Sequence, residues 1–347
     1  MRGAATSPIC LVADSVHRSR RTGIVVIGRN EGARLEACLA SVRGAGCPVV
    51  YVDSGSSDGS TARARAHCQQ IVELDPARPF SAARARNEGF AALLALDPQL
   101  EYAQFLDADC TLLPGWLDAA CAALDAEPTR AVTIGLLHER HPEASIYNRL
   151  CELEWRSPAG DLRNFGALGG IMFVRTAVFA HLGGFNRQLI AGEDSEFGVR
   201  VGLAGLKVTK IDAPMATHDA DIHRFTQWWW RAVRSGHAIG QRFSLHGQGP
   251  LQDCARERRS VLVWGIALPA TIVAMAPFTY GLSLLLAAAY LMLGLRIARY
   301  RLGQGDSPTD ARLYARFVVF GKLAEALGLI RFHVNRFAGR YRIIEYK

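Results

Sequence analysis

The chain has no Cys-x-x-Cys and no Cys/His cluster of zinc-like spacing. Its eight cysteines (Cys10, Cys38, Cys47, Cys68, Cys110, Cys121, Cys151 and Cys254) therefore read as scattered, reduced core thiols, which points to a cytoplasmic main domain. There is no Gly-x-Gly-x-x-Gly and no Walker lysine, so neither a dinucleotide site nor a P-loop is supported. Homeodomain, zinc-finger, RNP-like and long basic helical patterns are also missing. The net charge of +8 and pI near 9.2 then favour an anionic membrane or a phosphorylated substrate over nucleic acid. A secretory signal is not expected, because the apolar run Pro8 to Ala13 is short and is followed by Asp14 and the basic Arg18, Arg20 and Arg21. Finally, no Asp, Glu, Lys, Arg or His occurs from Val261 to Leu295.

Half of the 347 residues are hydrophobic and 21% are charged, which excludes a disordered chain and an ordinary polytopic membrane protein. The length suits one large α/β domain with an appendage, or two ordinary domains.

The stretch Gln104-Phe105-Leu106-Asp107-Ala108-Asp109-Cys110 ends a buried strand with two carboxylates one residue apart. If the backbone stays extended, Asp107 and Asp109 point the same way and offer hard oxygen donors suited to Mg²⁺ or Mn²⁺. The competing reading is a solvated turn with an aspartate capping the next helix.

Two strand–loop–helix units precede it. Gly23 to Gly28 is a β-branched run opening into Arg29-Asn30-Glu31-Gly32, followed by Leu35, Leu39 and Val42 at helical spacing. Pro48 to Val52 opens into Asp53-Ser54-Gly55-Ser56-Ser57-Asp58-Gly59-Ser60, with a helix expected over Thr61 to His67. Such units predict a doubly wound, mostly parallel sheet whose ligand crevice lies at the strands' carboxyl ends, where Asn30, Glu31, Asp53, Asp107 and Asp109 all fall. Asp53 is placed to accept hydrogen bonds from a ribose or base, whereas Asp58 serves equally well as a helix cap. Arg86 and Asn87, near the start of the next helix, are either an exposed face or contacts to a phosphate or sugar. Further on, Gly169-Gly170 allows close approach of backbone to a ligand. Gly192-Glu193-Asp194-Ser195-Glu196 heads a helix whose acids suit the helix dipole and include a candidate general base.

Taken in order, Arg29-Asn30-Glu31, Val52 to Ser60, Arg86-Asn87-Glu88-Gly89, Asp107-Ala108-Asp109, Gly169-Gly170, Gly183-Gly184-Phe185 and Glu193-Asp194 resemble an inverting family 2 glycosyltransferase of the GT-A fold. The resemblance covers roughly residues 22 to 240. It implies that Asp53 contacts the nucleotide base, that Asp109 with Asp107 holds a divalent metal on the donor diphosphate, and that Asp194, beside Glu193, is the acceptor's base. It further implies that His218 completes the metal or diphosphate contacts, against an alternative as a polar loop histidine. Processive members carry Gln-x-x-Arg-Trp. This chain has Gln227-Trp228-Trp229-Trp230-Arg231, so one sugar per encounter is expected. The tryptophans suit acceptor stacking, core packing or anchoring at a headgroup layer, with packing plus anchoring the preferred reading.

The uncharged run needs lipid, and Pro277, Thr279 and Gly281 near its middle suggest a hairpin over about 261–295. Basic flanks on both sides return it to the cytoplasmic face of the cell inner membrane. An interfacial amphipathic helix is expected over about 311–332, followed by a basic tail. The expected organisation is a loose leader (1–21), a GT-A domain (22–250) and a helical membrane module (251–347). The expected reaction is metal-dependent transfer from a nucleotide-diphosphate sugar to a hydroxyl or lipid-linked acceptor, in polysaccharide or glycolipid synthesis. Membrane lipid is a partner and nucleic acid is not. A nucleotidyltransferase on a similar fold and a catalytically silent nucleotide-sugar-binding scaffold are the rivals.

Overall fold

A computed structural model describes residues 21–339, so most of the expected leader and the end of the basic tail lie outside the described residues. The chain divides into two compact units. The first holds residues up to Arg140, Trp155–Gln188 and Glu193–Asp219; the second holds His141–Glu154, Leu189–Gly192 and the chain from Ala220 onward.

The first unit begins with β1 (Thr22–Gly28), α1 (Ala33–Val42), β2 (Val49–Asp53), α2 (Ser60–Ala64), β3 (Gln70–Glu73), α3 (Ala82–Leu96) and β4 (Tyr102–Asp107). These strands are parallel, and β1 lies between β2 and β4. The chain thus winds outward through β2 and β3, then returns across β1 to β4, which makes a topological switch point with its crevice at the carboxyl ends. Asp53 ends β2 and Asp107 ends β4. The continuous burial of Ile24 to Val26 and of Val49 to Asp53 matches strands covered on both faces. The helix expected over Thr61 to His67 is the shorter α2.

The sheet continues through β5 (Cys110–Leu112), α4 (Trp116–Asp125), β6 (Arg130–Glu139), β7 (Gly160–Asp161), β8 (Met172–Arg175), α6 (Thr176–His181), α7 (Glu193–Leu203) and β9 (Lys207–His218), with α5 (Ile146–Trp155) between β6 and β7. Strand order is β3-β2-β1-β4-β8-β6-β9-β5, with β7 on β9. The second half is mixed: β8 is antiparallel to β4 and β6, and β5 to β9, while β6 and β9 are parallel. This mixed sheet with covering helices is a GT-A fold.

Five phenylalanines carry the packing that positions α7. Phe90 (α3), Phe105 (β4), Phe179 (α6), Phe185 and Phe197 (α7) stack in tilted and edge-on pairs with centroids 4.6 to 5.5 Å apart. Each such pair contributes about 0.5–1.5 kcal/mol beyond its buried area. Phe197 thereby ties α7, through Phe179 and Phe185, to Phe105 on β4.

The second unit is helical. It contains α5 except for Trp155, followed by α8 (Phe225–His246), α9 (Ala255–Met275), α10 (Leu282–Gly303) and α11 (Pro308–Phe337). Helices α9 and α10 are long and apolar enough to cross a membrane, and only 11% and 6% of their most apolar stretches are buried, so they are not the core of a soluble bundle. The turn between them spans 276–281, where the sequence places Pro277 and Gly281. The amphipathic helix expected over about 311–332 is longer and is packed against α8, with Ala324, Gly328, Leu329 and Phe332 buried. Glycines explain the fit. A Cβ at Gly236 would overlap the backbone of Glu325, and one at Gly328 the backbone of Val233 and His237. Close approach of this kind is how helices associate where lipid removes the hydrophobic drive. Trp228 is buried edge-on against Phe317 at 4.8 Å, and Arg331 lies 4.5 Å over Trp230, so packing accounts for these two rings. Gln227 caps α8 by accepting the N–H groups of His223 and Arg224.

Candidate active site

At the end of β2, Asp53 is buried and held by three donors: Tyr51 Oη at 3.0 Å on Oδ1, and the backbone N–H groups of Gly55 (2.9 Å) and Ser56 (2.7 Å) on Oδ2. A carboxylate has about four acceptor sites, and these three bonds fill three of them. Burial, with Asp53 beside it, pushes the Tyr51 hydroxyl up and keeps it a donor.

The neighbouring loops are laced together. Asn30, at φ 57°, accepts from the Ser57 N–H at 2.7 Å and donates its own N–H to Ser56 Oγ at 2.9 Å. Asp58 accepts from Ser60 Oγ (2.6 Å), Ser60 N–H (3.0 Å) and Gly32 N–H (2.9 Å). The Ser60 hydroxyl above all holds its carboxyl below the usual range. Of the two sequence readings of Asp58, its bonding is that of a cap and brace. Glu31 pairs with Arg34 at 2.9 Å.

Arg86 is not on an exposed face. Its guanidinium is buried between two carboxylates, Asp107 Oδ1 and Glu193 Oε1, each at 2.6 Å. Burial opposes its charge, but Asp107, Glu193 and Asp194 outweigh that and raise its pKa. Gly170, expected to admit a ligand, makes room for this guanidinium: a Cβ there would overlap it. Asn87 also has a different task from sugar contact. Its amide donates to the Phe185 carbonyl (2.7 Å) and accepts the Phe185 N–H (2.8 Å), and a Cβ on Gly184 would crowd its Oδ1 at 2.6 Å. The Arg-Asn and Gly-Gly-Phe motifs are thus two halves of one clamp.

The three acids heading α7 separate by environment. Glu193 is buried on Arg86, and Glu196 is buried with both oxygens on Arg200 at 2.8 to 3.0 Å. Asp194 is half-buried in the first turn and lies within the field of Arg86.

Asp107 and Asp109 do not point the same way, because the chain turns at Ala108-Asp109 instead of staying extended. Asp107 faces Arg86. Asp109 faces His218, with Oδ2 3.4 Å from Nε2, and accepts the Cys110 thiol at 3.5 Å. His218 is the last residue of β9, not a loop histidine, and its ring meets Trp155 edge-on at 4.8 Å. One ligand atom each from Asp109, Cys110 and His218 lie within 4.8 Å of one another. Burial drives the Cys110 thiol well up, which leaves the Asp109 carboxylate and the His218 imidazole as the candidate donors, the carboxylate being the one that suits Mn²⁺ and Mg²⁺. Glu139 and Trp155 beside His218 were not singled out in the sequence. Glu139 ends β6, the kind of position that marked Asp53 and Asp107.

Residues 23–181 match the family model for glycosyl transferase family 2. The pre-mycofactocin glycosyltransferase of Mycobacterium tuberculosis is 27% identical over 210 residues, which is 58% of this chain but 43% of that protein, so the match spans less than half of the curated relative. Among solved structures, a mannosyltransferase from Pyrobaculum calidifontis in complex with GDP-Man and Mn²⁺ superposes with a TM-score of 0.61 at 21% identity, covering 91% of this chain and 88% of that one. Residues 1–349 of TarS from S. aureus give 0.53 at 13% identity, with 92% of each chain covered. These likenesses carry the GT-A fold across both matches. The match to the glycosyl transferase family 2 model covers residues 23–181, somewhat less than half of the chain, and the likeness to these structures is one of fold.

Proposed function

We propose that the protein transfers a sugar from a nucleotide-diphosphate donor to an acceptor hydroxyl, with inversion at the anomeric carbon and one sugar per encounter. The observation that carries this is the ion network at the crevice. Asp53, Asp107 and Asp109 gather at the carboxyl ends of β2 and β4, and Arg86 ties Asp107 to the helix that bears Asp194. Donor-side and acceptor-side carboxylates therefore share one electrostatic frame. Asp53 accepts from the nucleotide through its remaining site. Asp109 and His218 are the residues that would hold Mn²⁺ or Mg²⁺, which when bound offsets charge growing on the departing diphosphate. Asp194 takes the acceptor's proton as the oxygen attacks, and one displacement needs this one base. The mannosyltransferase that shares the fold was solved with GDP-Man and Mn²⁺, which supports both the donor class and the metal.

We further read α9 and α10 as a hairpin in the cell inner membrane, with both ends and the first unit on the cytoplasmic side, where nucleotide-sugars are made. This suits a membrane-proximal or lipid-linked acceptor and a role in polysaccharide or glycolipid synthesis. The test is turnover of the detergent-solubilised chain with a panel of nucleotide-sugars, with Mn²⁺ or Mg²⁺ and with excess EDTA. Release of nucleoside diphosphate that stops in EDTA and in Asp109→Ala is expected. Release of pyrophosphate, or binding without turnover, overturns it. Reporters fused at Gly249 and after Lys347 should both face the cytoplasm, and opposite sides would refute the hairpin.

A further inference from the structure

Glu139 takes no part in the reaction as described, yet its place beside His218 is set by the sheet. His218 ends β9 and is flanked in register by Glu139 on β6 and Cys110 on β5. Lateral neighbours in a sheet project to one face, so the three side chains form a row. On one side of the imidazole, Nε2 faces Asp109 Oδ2 at 3.4 Å; on the other, Nδ1 faces Glu139 Oε2 at 3.9 Å. The Glu139 side chain is 0% exposed. Trp155 stands edge-on to the ring, at 83°. Arg140 closes the frame: its backbone N–H donates to the His218 carbonyl at 2.8 Å, and its side chain donates to Thr111 Oγ1. The ends of β5, β6 and β9 are thereby tied together around one histidine.

A neutral imidazole offers one lone pair, and the nitrogen that keeps the proton is the one facing an acceptor. At 3.9 Å the carboxylate is at ion-pair distance and not in a hydrogen bond, so its charge acts on the ring chiefly through its field. That field favours the proton on Nδ1, while the nearer Asp109 competes for it on Nε2; a cation seated between Nε2 and Asp109 would remove that competition and take the Nε2 lone pair.

We propose that Glu139 is a positioning residue that sets the tautomer and orientation of His218, so that Nε2 and Asp109 together receive the divalent cation. The proposal rests on the metal-dependent reading above. Glu139 touches neither substrate nor cation; it acts through the histidine.

The test uses the full chain in detergent, with Mn²⁺ alone as the probe and free Mn²⁺ measured by electron paramagnetic resonance. Glu139→Leu should weaken Mn²⁺ binding by about 10–100-fold, the usual effect of removing a carboxylate behind a metal-bound histidine. Glu139→Gln, which keeps an acceptor oxygen, should recover part of that loss. In a His218→Ala background, Glu139→Leu should change Mn²⁺ affinity by less than about 3-fold, because the two act as one unit. Nitrogen-15 spectra of the histidine ring, at a Mg²⁺ concentration that saturates the wild-type chain, should show the Nδ1–H tautomer in wild type and a mixture in Glu139→Leu, a change that a merely structural role would not produce. If Glu139→Leu does not fold, the same comparisons with Glu139→Gln decide. Unchanged Mn²⁺ affinity and tautomer, or a loss that persists without His218, overturns the proposal alone. A wild-type chain that binds no Mn²⁺ overturns the metal reading with it.

Discussion

Replacing Arg86 by Met should destabilise the first unit far more than the loss of an ordinary ion pair. Arg86 and Glu193 are both nearly sealed from solvent, with side-chain exposures of 4% and 8%, whereas Asp107 keeps 31%. Methionine fills much of the same space but leaves Glu193 buried without its counter-charge. Breaking a buried pair by removing one partner costs about 3–5 kcal/mol. The Asp107 side adds little, because solvent screens that carboxylate. The expected total is therefore about 3–5 kcal/mol, read as a shift in the urea midpoint of the first unit's near-ultraviolet signal. The double variant Arg86→Met/Glu193→Gln should regain at least about 1 kcal/mol, since it removes the orphaned charge as well. A single variant within about 1 kcal/mol of wild type, or a double variant no better than the single, would refute the argument that the buried pair holds α7 in place.

Two further outcomes follow from the same geometry. Asp194→Asn should lower kcat by about 10²–10⁴ with donor affinity and stability kept; Glu193→Gln should instead lower stability, and a reversed pattern in steady-state kinetics and urea titrations would exchange the two roles. His237, fully buried in α8, has its pKa lowered to about 4 by burial, below the 6.5 of an exposed histidine. A depressed folded-state pKa means stability that is present above pH 6.5 and lost as pH falls towards 4, by up to about 3 kcal/mol. The helical unit's melting temperature should fall over that window and hold steadier in His237→Leu; equal pH slopes would exclude this origin.

The strands and their terminal acids were legible because both signals are local: a β-branched run followed by Asn, Asp or Gly needs no distant partner to be recognised. The turn between α9 and α10 was legible for the same reason, through Pro277 and Gly281. What the sequence did not show depends on partners far along the chain. Arg86 meets a carboxylate 107 residues away, and nothing around it distinguishes a buried bridge from a solvated helix face. Gly170 showed only that space was needed, not that a guanidinium fills it. Residues 141–154 read as part of the first domain, yet Arg149 is bound to Asp310 and Leu153 to Arg301, 161 and 148 residues distant, which places them in the helical unit. Glu139 was missed because its partner, His218, lies on another strand far along the chain.

The glycine contacts between α8 and α11 also constrain motion. Gly236 receives the backbone of Glu325, and Gly328 receives that of Val233 and His237, so each helix is notched into the other at two levels. Sliding by one turn, about 5.4 Å, would bring side chains against backbone where only hydrogen fits. Register slippage of the kind that lets packed helices ratchet is therefore blocked. Helices α8 and α11 must move as one rigid lever. Any rearrangement within the helical unit then falls to its joints, where Gln252, Cys254, Tyr280, Gly281 and Gly305 already hold left-handed backbone conformations.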